Sequence, residues 1–596
     1  MKLSKIYSNQ SKLFPPINFH DGLNVIFGKV LHPTNNLKDS HNLGKSTLIE
    51  LIDFLLLKET LTNHFLTVNH TRFVDFVFYL ELQTDDGQFL TIRRSIETAS
   101  KICFKKHSAR GQDFSTLDDN SWDGVNVPIE TAVKTLDGYL NLDVIGKWSY
   151  RKGVSYFLRT QADYLDVFQI AKYNKGRDAE WKPYLAKLLG FDDESVSKKY
   201  DLEEQIKLLE GQRAALNTNL KEDDYDNIRG QIEIKEEEVK KAAEKLDSFN
   251  FNEQELKLNR ELVREIETKI AAANDALYNL GYEISQIEKA LDTKLEFNLK
   301  EITGLFEEAK IYFPNELKKD YSDLLAFNKQ ITKERRGHLK NRFVDLKVQE
   351  KELLDSLQKL NTTRQTNLSI LRELDSLTKF KQLQKLLAQE QAGLNMLNSR
   401  LDMVKQLIRI GNAIRISQKE LVKVMDELRL EQLKESPVRK EIRLAFSEII
   451  KSVLNVSALL SASINLSGNI DFKATIMAGD DVSKATSQDR GTSYKKLLCA
   501  AFDLSVLRAY ANKRFFHFVY HDGILEALDD RKKMCLLDVI RKYCSDYRIQ
   551  YILTAIDSDL PRDTATGQKI AFSAEEIALE LNDSGDTGRL FKMPKF

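Results

Sequence analysis

The sequence predicts an α/β domain assembled from N- and C-terminal segments, with a long antiparallel α-helical coiled coil between them. Residues 1–190 and 437–596 mix short apolar, strand-like runs with turns. Residues 191–436 are charged and contain a single proline, Pro314, a composition that favours helix. Apolar residues in this middle region recur at steps of three and four, which is the spacing of coiled coils. Further strands are predicted at Val154 to Leu158, Ile464 to Ile476 and Gln550 to Thr554.

Length and composition limit the classes of protein to which this chain could belong. A chain of 596 residues predicts at least two structural units. Its charges balance to zero, which argues against a protein that coats a polyanion but allows a local basic groove. The four cysteines form no CxxC pair, as expected of reduced thiols. With no secretory signal and no apolar run of about 20 residues, the sequence predicts a cytoplasmic protein without a membrane segment.

The coiled-coil pattern divides into an outgoing arm over residues 191–291 and a returning arm over residues 326–436. Residues 292–325 are the predicted apex, and they contain no CxxC pair for a zinc hook. Two other interpretations stay open: coiled coils formed with other chains, and a compact bundle of the same helices. The longest unbroken run is Val263, Ile266, Ile270, Ala273, Leu277, Leu280, Ile284, Ile287 and Leu291, and the spacing resumes with Leu339, Phe343, Leu346, Glu350, Leu353, Leu357 and Leu360.

A phosphate-binding loop is predicted between a strand-like run that ends at Gly28 and an apolar helix. Gly44-Lys45-Ser46-Thr47 lies directly before that helix, where backbone N–H groups would cradle phosphates. Lys45 would reach the β- and γ-phosphates of ATP, and Ser46 would coordinate Mg²⁺. Asp39 replaces the first glycine of the usual GxxxxGK[ST] pattern, so we expect a longer loop. The predicted nucleotide-binding residues of this loop are Asn42, Gly44, Lys45, Ser46 and Thr47.

A second nucleotide element is predicted near the other end of the chain. The run Phe515 to Asp522 is mainly apolar and ends in a carboxylate, which is typical of a buried strand that delivers a metal-binding aspartate beside a phosphate loop. Ala527-Leu528-Asp529 follows at a short distance. The alternative is a buried strand that ends in an ordinary turn aspartate.

Together these motifs resemble SMC-like ABC ATPases, a group that includes RecN-type and double-strand-break repair ATPases. Residues 1–28 look like the first strands of that head, Thr91 to Ile96 like its early β-meander, and Tyr156 to Gln161 like its Q-loop. Asp522 and Asp529 match the Walker B aspartate and the D-loop. The resemblance implies an ABC-type ATPase head that uses ATP and Mg²⁺, with Gln161 contacting the metal ion and the attacking water.

A bacterial subgroup with a C-terminal domain of unknown function is the most similar. It carries an HDG element, here His521-Asp522-Gly523, and Gln550-Tyr551-Ile552 before its last strand. Some of its members look like ATPase components of multi-component anti-phage systems. That resemblance implies neighbouring genes for a small middle component and an effector, a nuclease or toxin.

The chain departs from the family at its catalytic positions. Gly523 stands where a catalytic glutamate usually follows the Walker B aspartate. Glu526 is a substitute base if the backbone bends toward the γ-phosphate. Ala555 stands where a switch histidine usually follows the last strand, and His521 is either its substitute or a packed histidine. We therefore predict slow hydrolysis, with Asp522, Gln161, Glu526 and His521 as the candidate catalytic residues.

The signature loop that completes a partner's nucleotide site is degenerate. Its best match is the run Arg490 to Lys496, in which Gly491, Thr492 and Ser493 stand before an apolar helix. The positive end of that helix dipole would face the γ-phosphate held by a second head. An ordinary helix cap is the alternative interpretation, because these residue types are normal there.

The predicted function is an ATP-driven clamp. ATP would join two heads into a homodimer, and the resemblance implies a DNA clamp or sensor in anti-phage defence or DNA repair that controls an effector. Basic runs at Lys101 to Lys106 and Lys333 to Arg336 are candidate DNA contacts, although such runs are often solvated faces. The competing hypothesis is a nucleotide-binding coiled-coil scaffold that recruits an effector without touching DNA.

Overall fold

The computed structural model describes residues 1–32, 42–59, 62–173, 176–216, 220–249, 253–292, 315–369, 375–478, 481–485, 491–563 and 566–596. Asp39, Arg490 and most of the predicted apex, residues 293–314, lie outside the described residues. The chain divides into two compact units. The first unit, called the head here, comprises residues 1–209 and 414–596, and the second comprises residues 210–413.

The head contains a five-stranded parallel sheet that draws on both ends of the chain. Its strand order is β14-β3-β13-β12-β8, and each neighbouring pair is parallel. Strand β13 is buried along its whole length, as expected of a parallel strand covered on both faces. The strands are β3 Leu23–Lys29, β8 Leu158–Arg159, β12 Phe518–His521, β13 Gln550–Ile556 and β14 Ile577–Asn582.

Two antiparallel sheets complete the β-structure described in the head. A six-stranded sheet has the order β2-β1-β4-β5-β6-β7, and a three-stranded sheet has the order β11-β10-β9. The six are β1 Lys2–Ser8, β2 Ile17–Asn18, β4 Val77–Gln83, β5 Phe89–Ser95, β6 Lys101–His107 and β7 Gly124–Pro128. The three are β9 Ala458–Ile464, β10 Ile470–Ala478 and β11 Asp481–Ala485.

Helices pack on these sheets around one hydrophobic core that both ends of the chain share. Helix α1, for example, contributes six buried apolar side chains between Leu48 and Leu55. Because strands and helices from both ends interleave, the predicted α/β head assembled from N- and C-terminal segments is confirmed. The helices are α1 Lys45–Leu55, α2 Phe65–Val68, α3 His70–Phe73, α4 Ile129–Leu140, α5 Tyr150–Phe157, α6 Asp178–Leu188, then α12 Pro437–Leu454, α13 Thr492–Ala509 and α14 Asp530–Tyr547.

Five further helices connect the two halves of the head along the chain. They are α7 Asp193–Ala215, α8 Asp224–Asp247, α9 Glu253–Asp292, α10 Asn315–Ser369 and α11 Asp375–Leu433. Among the residues with described positions, no helix is both long enough and apolar enough to cross a membrane.

The second unit contains the predicted antiparallel coil. Ile270 and Ala273 of α9 pack with Leu357 of α10, while Ile284 and Ile287 pack with Leu346. The partner number falls as the α9 number rises, so the two helices run antiparallel. These apolar stripes therefore meet within one chain in the described part of the arms, as the antiparallel interpretation requires.

Two predicted strands are wrong. Val154 to Leu158 belongs mostly to helix α5, whose buried side chains Tyr150, Val154 and Phe157 recur at helical spacing. Only Leu158–Arg159 is a strand. The run Ile464 to Ile476 is interrupted by a turn in which Gly468 has a φ of 70°, so it forms the hairpin β9–β10 instead of one strand.

Candidate nucleotide site

The phosphate-loop motif lies at the carboxyl end of a central parallel strand. Strand β3 lies between β14 and β13, and α1 begins at Lys45. Gly44 precedes it with a φ of 97°, in the left-handed region that favours glycine. No side chain among the described residues caps α1, and its first turn contains no acidic residue. Its N-terminal N–H groups and dipole thus suit an anion.

Lys45 leans back over the end of β3. A Cβ atom built on Gly28 would lie 3.4 Å from the Lys45 ammonium nitrogen and 3.1 Å from Ile556. Gly28 thus leaves room for the lysine side chain against the sheet. Asn42 and Thr47 are also placed at this end of the loop, Asn42 exposed and Thr47 half-buried.

Asp522 joins the phosphate loop to the C-terminal half of the head. The Ser46 hydroxyl donates a hydrogen bond of 2.6 Å to Asp522 Oδ2, although the two residues are 476 positions apart. Thr554, at the end of β13, donates a 2.6 Å bond from its hydroxyl to the other oxygen, Oδ1. The parallel pairing of β12 with β13 makes this possible, because both strands end at the same edge of the sheet.

These oxygen atoms fit a magnesium ion. The Ser46 hydroxyl and the Asp522 carboxylate are hard oxygen ligands that lie within hydrogen-bonding distance of each other. The described residues contain no group of three or more His, Cys, Asp or Glu side chains that would hold a metal ion alone. Such a pair suits Mg²⁺ that arrives with nucleotide phosphates, since this ion takes few protein ligands.

A tight turn after Asp522 returns Glu526 to the site. Gly523 has a φ of 66°, and its N–H donates a 2.8 Å bond to the Thr554 hydroxyl. A Cβ atom built on Gly523 would lie 2.8 Å from three atoms of the Glu526 carboxylate. Glycine at this position therefore gives the turn both its left-handed backbone and the space for Glu526.

Two donors hold the Glu526 carboxylate. Gln161 Nε2 lies 3.0 Å from Oε1 and 3.2 Å from Oε2. Lys496 Nζ donates to Oε2 at 3.2 Å and to the Gly523 carbonyl at 2.7 Å. The candidate catalytic residues Gln161 and Glu526 are thus brought together by direct contact.

The short strand β8 positions Gln161. Arg159 pairs with His521 in the parallel ladder, and the Asp522 N–H donates to the Arg159 carbonyl at 3.0 Å. Thr160 then caps the turn that holds Gln161 through a reciprocal pair of bonds with Asp163. Gln161 and Asp522 therefore follow two neighbouring parallel strands, β8 and β12.

His521 is placed in the core beneath the site. Its Nε2 lies 2.9 Å from Asp503 Oδ2, and its Nδ1 lies 2.5 Å from the Tyr551 hydroxyl. Burial lowers the pKa of His521, although Asp503 opposes this effect. A neutral ring that donates to Asp503 from Nε2 and accepts from Tyr551 satisfies both contacts. These are the contacts of a packed histidine, and the catalytic role of His521 stays a prediction.

Asp503 also binds the Arg159 guanidinium. The two groups are fully buried and joined by bonds of 2.5 and 2.9 Å. Burial alone would lower the pKa of Arg159, but the Asp503 carboxylate raises it above its ordinary value. One carboxylate on α13 thereby ties together β8 and β12, the two strands that carry Gln161 and Asp522.

The signature-like residues contact the Glu526 turn of their own head. Gly491 lies at the N-cap of α13, Thr492 begins the helix, and the Ser493 hydroxyl donates to the Ala527 carbonyl at 2.8 Å. Asp529 caps α14 by accepting a 3.0 Å bond from the Lys532 N–H. A role of these residues toward a second head stays a prediction.

Sequence reasoning missed Thr554, Lys496, Arg159 and Asp503. Asp503 had a detectable signal, because it is a lone carboxylate inside the apolar run Leu497 to Leu507. Thr554 and Lys496 carried none, since a threonine in a strand and a lysine in a helix are ordinary.

Side chains of both basic runs make contacts within the chain. Lys105 pairs with Asp123 at 3.0 Å, and Lys106 lies 4.1 Å above the ring of Tyr139. Arg336 donates to the Leu291 carbonyl at 2.7 Å. DNA contact by either run stays a prediction.

Comparison with known proteins finds a family model and a relative that match this chain. Residues 449–595 match the family described as "Uncharacterised protein conserved in bacteria (DUF2326)". That segment contains Asp522, Glu526 and Thr554. The "Uncharacterized protein YydD" of Bacillus subtilis (strain 168) is 22% identical over 561 residues, which is 91% of this chain and 90% of that protein.

Two solved Smc structures are also similar in part. The Pyrococcus yayanosii Smc head domain with a coiled coil and joint is 16% identical, with a TM-score of 0.34 over 96% of this chain and 98% of that one. The Pyrococcus furiosus Smc head domain with an extended coiled coil, bound to the C-terminal domain of ScpA, is 13% identical, with a TM-score of 0.31 over 94% and 90%.

Proposed function

We propose that the head binds and slowly hydrolyses ATP with Mg²⁺. The observation that carries this proposal is the bond between Ser46 and Asp522, which unites a phosphate-loop hydroxyl and a strand-end carboxylate from opposite ends of the chain. The neighbouring contact of Gln161 with Glu526 supplies the groups for water activation.

Each residue has a role that follows from its place. The uncapped N-terminus of α1 and the Lys45 ammonium bind the phosphates. Ser46 and Asp522 hold Mg²⁺, which when bound neutralises charge on the phosphate oxygens. Thr554 keeps the Asp522 carboxylate oriented by occupying its second oxygen.

Glu526 is the proposed general base, and Gln161 positions the water beside it. Lys496 and Gln161 already bond both carboxylate oxygens. Among the described contacts Oε1 accepts a bond from Gln161 alone, so it keeps a lone pair for a proton from water. Slow turnover is expected because Gly523 occupies the usual position of the catalytic glutamate. ATP would therefore persist on the head.

The persistent ATP state would be a homodimer. Gly491 and Ser493 stand at the N-terminus of α13, whose first turn contains no acidic residue, so that helix end suits the γ-phosphate bound to a second head. ATP would stabilise the joined state because it contacts both heads. The family resemblance supports a DNA clamp or sensor in anti-phage defence or DNA repair, acting with a small middle component on an effector.

Light scattering and phosphate release test the ATPase proposal together. We expect ATP to double the mass of the wild-type chain, and Lys45→Ala to abolish both dimer and turnover. Glu526→Gln should keep ATP binding and the dimer but lose phosphate release. Lys12→Ala and Glu575→Gln, at exposed positions, are the matched controls and should behave as wild type.

Two outcomes separate the competing functions. If linear double-stranded DNA binds with an affinity that falls steeply with salt and speeds phosphate release, the clamp function is supported. If ATP changes neither mass nor turnover, the head is not a working ATPase dimer. Recruitment of an effector without DNA would then be the better hypothesis.

A further inference from the structure

A segment near the C-terminus, residues 583–590, holds the first end of the predicted phosphate loop. Asp583 directly follows β14, which pairs with β3 up to Asn582 and Lys29. Its buried carboxylate accepts the Leu31 N–H at 2.7 Å and the His32 N–H at 3.1 Å. The chain leaving β3 is thereby fixed by a side chain from the far end of the sequence.

The same segment holds the other end of the loop. The Leu590 N–H donates a 2.9 Å bond to the Leu43 carbonyl. A Cβ atom built on Gly44 would lie 2.7 Å from Leu590 Cβ. Gly44 is thus required not only for its positive φ but also because Leu590 fills the space beside it, one residue before Lys45.

Asp583 and Leu590 are themselves anchored to the head. Gly588 packs against Asn582, where an added Cβ would lie 2.2 Å from its carbonyl oxygen. Next to Leu590, Phe591 is buried among aromatic rings, and the Lys592 N–H bonds the Leu13 carbonyl at 2.8 Å. The rings around Phe591 are Phe14, Phe65, Phe73, Phe76, Phe78 and Phe596.

We propose that the segment Asp583–Leu590 is a positioning element that staples both ends of the phosphate loop for nucleotide binding. This inference rests on the proposed ATP site. This segment holds the phosphate loop at both of its described ends. Fixing its two ends in advance lowers the ordering cost that binding must meet. Neither Asp583 nor Leu590 has to touch the nucleotide for this effect.

Three variants of the full-length chain test the staple. Asp583→Ala removes the acceptor of both N–H groups. Asp586→Ala is the matched control, since this aspartate lies in the same segment but pairs with Arg589 at 2.8 Å. Asp583→Asn keeps one side-chain oxygen and should fall between wild type and Asp583→Ala.

The first measurement is hydrogen exchange without nucleotide. Peptides covering residues 29–32, which contain the two N–H groups that Asp583 binds, should exchange at least tenfold faster in Asp583→Ala than in wild type, and within twofold of wild type in Asp586→Ala. The second is titration with a fluorescent ATP analogue and Mg²⁺, in which Asp583→Ala should bind about tenfold more weakly. KM for ATP should rise by a similar factor while kcat changes less than threefold, because the reacting groups are untouched.

The outcomes are separable. Unchanged exchange in Asp583→Ala overturns the staple, whatever happens to ATP binding. Faster exchange with unchanged affinity overturns its role in positioning. If the wild-type chain binds no nucleotide at all, the proposed function fails, and the positioning role fails with it even where the exchange rates differ.

Discussion

Gly523→Ala is the sharpest test of the Glu526 assignment, because it leaves every proposed catalytic side chain in the sequence. The added methyl group would lie 2.8 Å from the Glu526 carboxylate. Glu526 is partly exposed and free to rotate away, so the crowding should be relieved by moving the carboxylate off Gln161. The expected defect is therefore one of position and not of folding.

The expected magnitudes distinguish a displaced catalytic carboxylate from a loss of stability. A non-glycine residue in the left-handed region costs about 1–2 kcal/mol, part of which is offset because alanine restricts the unfolded chain. Loss of a general base costs about 10²–10⁴-fold in rate, which is roughly 2.7–5.4 kcal/mol of barrier at 1.36 kcal/mol per decade. Turnover should thus fall at least a hundredfold, whereas the free energy of unfolding should fall by no more than about 1–2 kcal/mol.

The assay is phosphate release at saturating ATP, with urea unfolding of the same samples. Gly567→Ala is the matched control, since its φ of 68° carries the same backbone cost and no described atom lies within 4 Å of an added Cβ. It should keep wild-type turnover. The double variant Gly523→Ala/Glu526→Gln should be no slower than Glu526→Gln, because both changes remove one function. Turnover of Gly523→Ala within twofold of Gly567→Ala would refute the assignment.

Three further predictions concern other parts of the chain. Ser46→Ala should weaken Mg²⁺-dependent ATP binding at least tenfold while binding without Mg²⁺ changes less than twofold, as measured by titration with and without chelator. Leu346→Ala, at a fully buried position of the coil, should destabilise it by about 2–5 kcal/mol, whereas exposed Val344→Ala should change the urea midpoint little; equal effects would contradict the described pairing. Asp503→Asn leaves the buried Arg159 charge without its ion partner and should cost about 3–5 kcal/mol; an unchanged urea midpoint would show that this pair contributes nothing to the head.

The parts of the site that the sequence predicted are those whose residue types are tied to their chemistry. The proposed phosphate loop is marked by Gly44-Lys45-Ser46 and the proposed metal ligand by Asp522 at the end of an apolar run, so both motifs were visible in the chain. Their contact could also be expected, because parallel strands end at the same edge of a sheet. The coil was predicted equally well, since its apolar spacing is regular over many turns.

The missed parts depend on long-range packing. Whether Glu526 can replace the absent glutamate depends on the turn at Gly523, and a glycine alone does not say in which direction the chain will bend. Val154 to Leu158 looked like a strand because short apolar runs fit either structure. The helical conformation of this run depends on packing against neighbours such as Phe516, which lies so close to Gly153 that no side chain would fit there.

The position of the proposed site couples ATP binding to the folding of the head. Ser46 and Asp522 belong to opposite ends of the chain, and they meet only when β3 and β12 join the same sheet. A ligand that contacts both must stabilise that sheet, by about 2.7 kcal/mol at a concentration of 100 times Kd. The apolar clusters described in the coil contain neither Ser46 nor Asp522. ATP should therefore raise the stability of the head selectively, and a slow ATPase would retain that added stability for as long as each nucleotide stays bound.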